Sequence, residues 1–177
     1  MAKENMDERW GFETRAIHAG QKPDPRTGAI TVPVYQTTTY EQDGVGKDRG
    51  YEYSRTGNPT RDALEVSVAA LEGAQFGRAF ASGMAAEDTI LRLLNPGDHI
   101  VMGNDAYGGT FRLISKVLTR MGVTWSAADF SKKDNIESCI TDKTRVIWAE
   151  TPSNPLLSVV DIQMLSEVAH SIGAWCV

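Results

Sequence analysis

The chain has 177 residues, 41% apolar and 23% charged, with a formal net charge of −5. Such a chain is expected to be soluble and globular with a sizeable core, and it holds no run of about 18 apolar residues to span a membrane. The acidic balance argues against nucleic acid as a partner, because phosphate backbones require a basic stripe.

The opening MAKENMDERW has mixed charge and no apolar h-region, so no signal peptide is expected and the cytoplasm is the default compartment. Residues 1–60 stand apart from the rest. The stretch from Gly11 to Pro59 is rich in Gly, Pro, Thr and Tyr, has almost no helical periodicity, and is too long for a compact loop. Val32, Val34, Tyr35, Tyr40, Tyr51 and Tyr53 favour an ordered arm lying on another surface, and Pro33 restricts ITVPVYQTTTY to an edge or irregular extended segment. At Asn58 the character changes: Asn58 caps a helix with Pro59 at its first position. Leu64, Val68 and Leu71 mark one face of that helix up to Gly73.

From Arg78 onward the pattern alternates. RAFAS reads as a short strand, GMAAEDTILRLL as a helix stopped by NPG, and DHIVM as a strand. GGTFRLISKVLTRMG reads as a helix with Phe111, Ile114, Leu118 and Met121 on one face and Arg112, Lys116 and Arg120 on a solvated one. VTWSAA is a strand, KKDNIESCI a short helix, TRVIWAE a strand, DIQMLSEVAHSIG a helix and AWCV a strand. This alternation means βαβ crossovers and a largely parallel sheet. Cys139 and Cys176 read as separate buried thiols, and His18, His99 and His170 lack the spacing of metal ligands.

In open α/β sheets, ligands bind beyond the carboxyl ends of the strands. The segments there are SGMAA (82–86), NDAYGGT (104–110) and ETPSNP (150–155). SGMAA sets a flexible turn at a helix start, which is either an anion site at Gly83 or a common strand–Gly–helix turn. Neither a dinucleotide fingerprint nor a P-loop is present. Tyr107 either stacks on a flat ligand or covers the sheet edge. Glu150, Ser153 and Asn154 share that edge, where Asn154 before Pro155 also fits plain turn chemistry. In YEYSRTGNPT, Arg55 is a phosphate fork or a surface charge.

Taken in order, YSRTGNPT, SGMAA, DAYGGT and ETPSNP resemble the pyridoxal-phosphate enzymes of cysteine and methionine metabolism, over about Thr14 to Val177. YEQDGVGKDRGYEYSRTGNPTR is most similar to their actinobacterial cystathionine γ-synthase branch. The resemblance implies an α/β three-layer sandwich with a mostly parallel sheet, the aspartate-aminotransferase-like fold type I domain. Residues 61–177 would be an incomplete cofactor domain, and 1–60 an arm contacting the neighbouring subunit of a homotetramer built as a dimer of dimers. The implied cofactor is pyridoxal 5′-phosphate. Tyr53 and Arg55 would bind the phosphate of the neighbouring subunit's cofactor, and the backbone amides of Gly83 and Met84 that of this subunit's own. Tyr107 would stack on the ring and take a proton from the substrate amine, Asn154 would lie near the ring's 3-oxygen, and Glu150 would support that edge. Arg112 would face a substrate carboxylate.

In the family, the strand begun by AWCV leads to an aspartate on the pyridine nitrogen, and later to the Schiff-base lysine. Lys3, Lys22, Lys47, Lys116, Lys132, Lys133 and Lys143 match neither position. The chain is therefore expected to be a truncated, N-terminal part of an enzyme, inactive alone. The implied parent replaces the acyl group of an O-acylhomoserine with cysteine; a cystathionine γ-lyase or another relative is the alternative. A reading of another class is a non-catalytic cofactor-binding or assembly module.

Overall fold

The structure, a computed structural model, describes residues 10–177; the reading of MAKENMDER as free of an apolar h-region, and the start of the expected arm, lie outside the described residues. The chain divides into two compact units, Met1–Phe80 and Ala81–Val177.

In the first unit, a short helix α1 (Phe12–His18) forms inside the stretch that carries no evident helical periodicity. Helix α2 (Pro59–Leu71) begins as its sequence dictates: Asn58 accepts from the Thr60 amide at 2.9 Å, with Pro59 at the first position. The face marked by Leu64, Val68 and Leu71 is not the buried one. Leu64 and Val68 are 54% and 46% exposed, whereas Ala69 and Ala70 are buried. The reason is α1, which lies against α2 closely enough for Arg15 Nη1 to donate to the Ala70 carbonyl at 3.1 Å.

The segment around Pro33 is irregular, as Pro33 requires; Thr39 and Tyr53 form a single antiparallel bridge. RAFAS is not a strand. Its Ala79 amide donates to Glu65 Oε1 at 3.0 Å instead of to a neighbouring strand, and Arg78 pairs with the same carboxylate. Gly77 permits this approach, because a Cβ there would collide with the Glu65 carbonyl oxygen.

The second unit is built on four parallel strands: β1 (His99–Gly103), β2 (Thr124–Ala128), β3 (Thr144–Trp148) and β4 (Trp175–Cys176), in the order β2-β1-β3-β4. AWCV pairs as expected, and the Val177 amide continues the ladder by donating to the Ile147 carbonyl at 3.0 Å. Parallel sheets bury both faces, and the residue alternation shows it. Ile100, Met102, Val146 and Trp148 join Leu91, Ile114 and Leu118 on one side. Val101 and Ile147 join Phe130, Ile136, Leu165 and Val168 on the other. Helix α3 (Gly83–Leu91) and the turns over 113–121 that continue α4 (Gly108–Arg112) supply the first layer, and α5 (Lys133–Glu137) and α6 (Ile162–Ser171) the second.

The long helix expected after Gly108 changes character: α4 widens into a π turn over Leu113–Val117 and tightens into a 3-10 turn over Leu118–Met121. Ser115 Oγ donates back to the Phe111 carbonyl and Thr119 Oγ1 to that of Ser115, competition that distorts a helix. In consequence Ile114 and Leu118 are buried together with Leu113, while Phe111 and Met121 remain partly exposed. Arg112, Lys116 and Arg120 are exposed. Cys139 and Cys176, expected as buried thiols, are half-buried.

At the start of the sheet, His99 is 4% exposed and links three strands. Its Nδ1 lies 2.9 Å from Thr144 Oγ1 on β3, and its Nε2 3.1 Å from Ser126 Oγ on β2. Desolvation holds this imidazole below its ordinary value of 6.5. As pH falls, the unfolded chain therefore takes up this proton first, so the His99 contribution is complete above pH 6.5 and declines below it, down to the folded value. The expected outcome in urea titrations at successive pH values is a decline of at most ~1.4 kcal/mol per pH unit from this one proton. His99→Asn should remove that component of the slope, and equal slopes in the two proteins would assign the pH dependence to other groups.

Candidate cofactor site

The carboxyl edge of the sheet is where the three segments named by the sequence arrive. Ser82 caps α3, its Oγ accepting from the Ala85 amide at 3.2 Å, which leaves the first-turn amides of Gly83 and Met84 at the open end of the helix. Beyond its chain neighbours and its own helix backbone, nothing lies within 4 Å of the point where a Gly83 Cβ would stand, so the backbone there is open. Thr110, buried at the start of α4, donates to Glu87 Oε2 at 2.7 Å and fixes the start of α4 to the middle of α3.

Tyr107, the residue before α4, is 46% exposed. Its backbone amide donates to Glu150 Oε2 at 2.7 Å, which joins the β1 and β3 loops. The ring lies back over the first turn of α4. A Cβ on Gly109 would collide with Tyr107 Cε1 and would stand 2.9 Å from Met84 Sδ, so ring and thioether flank the same glycine. The structure thus brings Gly83, Met84, Tyr107 and Glu150 to one end of the sheet. Asn154 is exposed on the loop that follows β3, and Arg112 is exposed on α4, one guanidinium nitrogen 3.2 Å from the point where a Gly108 Cβ would stand. Tyr53 and Arg55 belong to the first unit, where the Arg55 guanidinium lies over the Tyr53 ring at 4.6 Å, a cation–π pair presented together.

Asp105 and Ser158 were not singled out in the sequence. Asp105 Oδ2 accepts from Ser153 Oγ at 2.5 Å and from Ser158 Oγ at 2.8 Å, and these two hydroxyls hold its carboxyl below the ordinary range. Its place two residues before Tyr107 was a usable signal; its partners, beyond a loop, were not. A cleft of ≈ 90 Å³ lies beside Asp105, Asp129, Phe130 and Glu150. It is smaller than the roughly 300 Å³ at the lower end of small-molecule sites.

Fold and site together define a parallel α/β domain with an open helix start at the sheet edge that also carries an exposed aromatic ring. The model of the Cys/Met metabolism pyridoxal-phosphate-dependent enzymes matches residues 13–177, and the chain belongs to that family. A cystathionine gamma-synthase of Mycobacterium bovis is 58% identical over 166 residues, covering 93% of this chain and 43% of the relative. A cystathionine beta-lyase of Coxiella burnetii is 50% identical over 93% of this chain and 43% of the relative. The metB structure from Corynebacterium glutamicum superposes with a TM-score of 0.91 at 50% identity, covering 95% of this chain and 44% of its own. The chain thus spans less than half the length of these relatives. The fit with pyridoxal 5′-phosphate is chemical: a dianionic phosphate suits the helix start, and a flat ring suits Tyr107.

Gly109→Ala tests the ring position. An alanine Cβ there would collide with the Tyr107 ring and stand 2.9 Å from Met84 Sδ, so both side chains must shift, which offsets the helix-propensity gain of about 1 kcal/mol. The Tyr107 ring resonances are expected to move and pyridoxal-phosphate affinity to drop about tenfold. Unchanged ring resonances would show that Gly109 does not set the ring.

Proposed function

We propose that this chain supplies the phosphate cradle and stacking residue of a pyridoxal-phosphate enzyme that makes cystathionine, replacing the acyl group of an O-acylhomoserine with cysteine. The observation that carries the reading is the placement of Tyr107 across Gly109 from Met84, at the open start of α3. The backbone amides of Gly83 and Met84 bind the cofactor phosphate, and the Tyr107 ring stacks on the pyridine. Glu150 holds Tyr107 through its backbone, which leaves Tyr107 Oη free to accept a proton from the substrate amine. Asn154 approaches the ring's 3-oxygen, and Arg112 meets a substrate carboxylate. Tyr53 and Arg55 extend to the cofactor phosphate of a neighbouring subunit in a homotetramer. When bound, the cofactor supplies an electron sink for carbanion chemistry at the amino-acid substrate.

The cystathionine gamma-synthase name of the 58%-identical relative supports synthase, and a cytoplasmic location accords with amino-acid metabolism. Among the described residues no helix is long and apolar enough to cross a membrane. Relatives named cystathionine beta-lyase at 50% identity favour a second reading, cleavage of cystathionine. Assayed in the complete protein, cystathionine formed from O-acylhomoserine and cysteine supports the first, and pyruvate released from cystathionine supports the second.

For the 177-residue chain itself, equilibrium dialysis is expected to detect reversible pyridoxal-phosphate binding, weakened about tenfold by Tyr107→Ala, the scale of one lost stacking contact. Borohydride reduction followed by mass spectrometry is expected to label no single lysine stoichiometrically. Absence of binding would overturn the cradle. One fully labelled lysine would make the short chain an enzyme in its own right.

A further inference from the structure

The loops after β1 and β3 exchange carboxylates. Glu150, from the β3 side, accepts from the Tyr107 amide of the β1 loop, and Asp105, from the β1 loop, accepts from Ser153 and Ser158 of the β3 loop. The second half of this exchange has a specific form. Both serine hydroxyls converge on one oxygen, Asp105 Oδ2. Ser153, 1% exposed, also accepts from the Ser158 amide at 3.0 Å, and its own amide donates to the Ser158 carbonyl at 3.1 Å. The Leu157 amide donates to the Ser153 carbonyl at 3.0 Å, and Leu157 itself has a φ of 56°. Ser153 and Ser158 thereby close a ring of chain in which Asn154 is the first member.

Apolar burial does not hold that ring in place. Leu156 and Leu157 are 72% and 71% exposed, and Asn154 and Pro155 are exposed as well. The fastening is polar, and its charged member is Asp105. Hydrogen bonds to a carboxylate are roughly twice as strong as neutral ones.

We propose that Asp105 is a positioning residue for Asn154: by accepting from Ser153 and Ser158 on a single oxygen, it latches the 153–158 loop so that Asn154 meets the cofactor ring. This rests on the reading of the site as a pyridoxal-phosphate site. Asp105 touches neither cofactor nor substrate and acts only through the loop. Because one oxygen receives both hydroxyls, the carboxamide oxygen of asparagine can replace it, whereas alanine cannot.

The test is a double-mutant cycle on the 177-residue chain, read by equilibrium dialysis of pyridoxal 5′-phosphate and by amide hydrogen exchange. Asp105→Ala and Asn154→Ala are each expected to weaken binding about tenfold, and the double variant to be no weaker than either within about twofold. Exchange at the Leu157 and Ser158 amides is expected to accelerate at least about tenfold in Asp105→Ala, with Val101 and Ile147 of the sheet unchanged. Asp105→Asn keeps the acceptor oxygen with weaker, neutral hydrogen bonds, so it should recover part of both losses, to within about threefold of the unaltered chain. Additive losses in the double variant, or failure of asparagine to rescue, would overturn the proposal. If Asp105→Ala does not fold, Ser158→Ala replaces it in the cycle. Were the unaltered chain not to bind pyridoxal phosphate, the cradle reading would fall, and exchange in the Asp105 variants would still decide the latch.

Discussion

Parallel pairing of β1 with β3 is the constraint on which the site depends. The register Val101↔Ile147 and Met102↔Trp148 makes the two strands end together, so the chain leaving Gly103 and the chain leaving Trp148 emerge side by side. Residues about fifty apart in sequence then come within hydrogen-bond reach: Tyr107 with Glu150, and Asp105 with Ser153 and Ser158. In a parallel sheet this adjacency requires crossovers: the chain from β1 to β3 runs through α4 with its following turns, β2 and α5, and both faces of the sheet are buried by apolar side chains. The core therefore sets loop proximity, and the polar groups at the edge only refine it.

That division explains why the site tolerates charge. Asp105 and Glu150 are partly exposed, at the rim where water and backbone donors still reach them. A buried carboxylate would need full pairing to offset its desolvation. At the rim a carboxylate that receives one amide or two hydroxyls is a ready acceptor for joining two loops. Gly109 adds a steric constraint: its missing Cβ is the space that the Tyr107 ring occupies beside Met84.

Much of this was legible in the sequence, for identifiable reasons. DHIVM, VTWSAA and TRVIWAE are short apolar runs bounded by turns, and each became a strand; Asn58-Pro59 began a helix because both residues act locally. The errors came where a nonlocal partner decided. RAFAS has strand composition, but the Glu65 carboxylate claimed its backbone donor. Leu64 and Val68 suggested a buried face, but α1 took the side of Ala69 and Ala70. At the site, Tyr107 and Glu150 stood out by following strand ends, yet their connection runs through a backbone amide, which carries no residue signature. Asp105 lay in view within NDAYGGT, and its role depends on a loop closure at Ser153 and Ser158 that composition does not reveal.

The two ends of the same strands are fastened by different chemistry, and they respond differently to acid. At the start of the sheet, His99, Ser126 and Thr144 form a buried neutral link across three strands. A proton there is unfavourable because desolvation disfavours the imidazolium, so this end weakens as pH falls below 6.5. At the carboxyl edge, Asp105 is held below its ordinary value of 3.8 by two hydroxyls. Its contribution is complete above that value and is lost only as pH falls through the depressed folded value. On acidification the start of the sheet is thus strained first, while the loop carrying Asn154 is still latched.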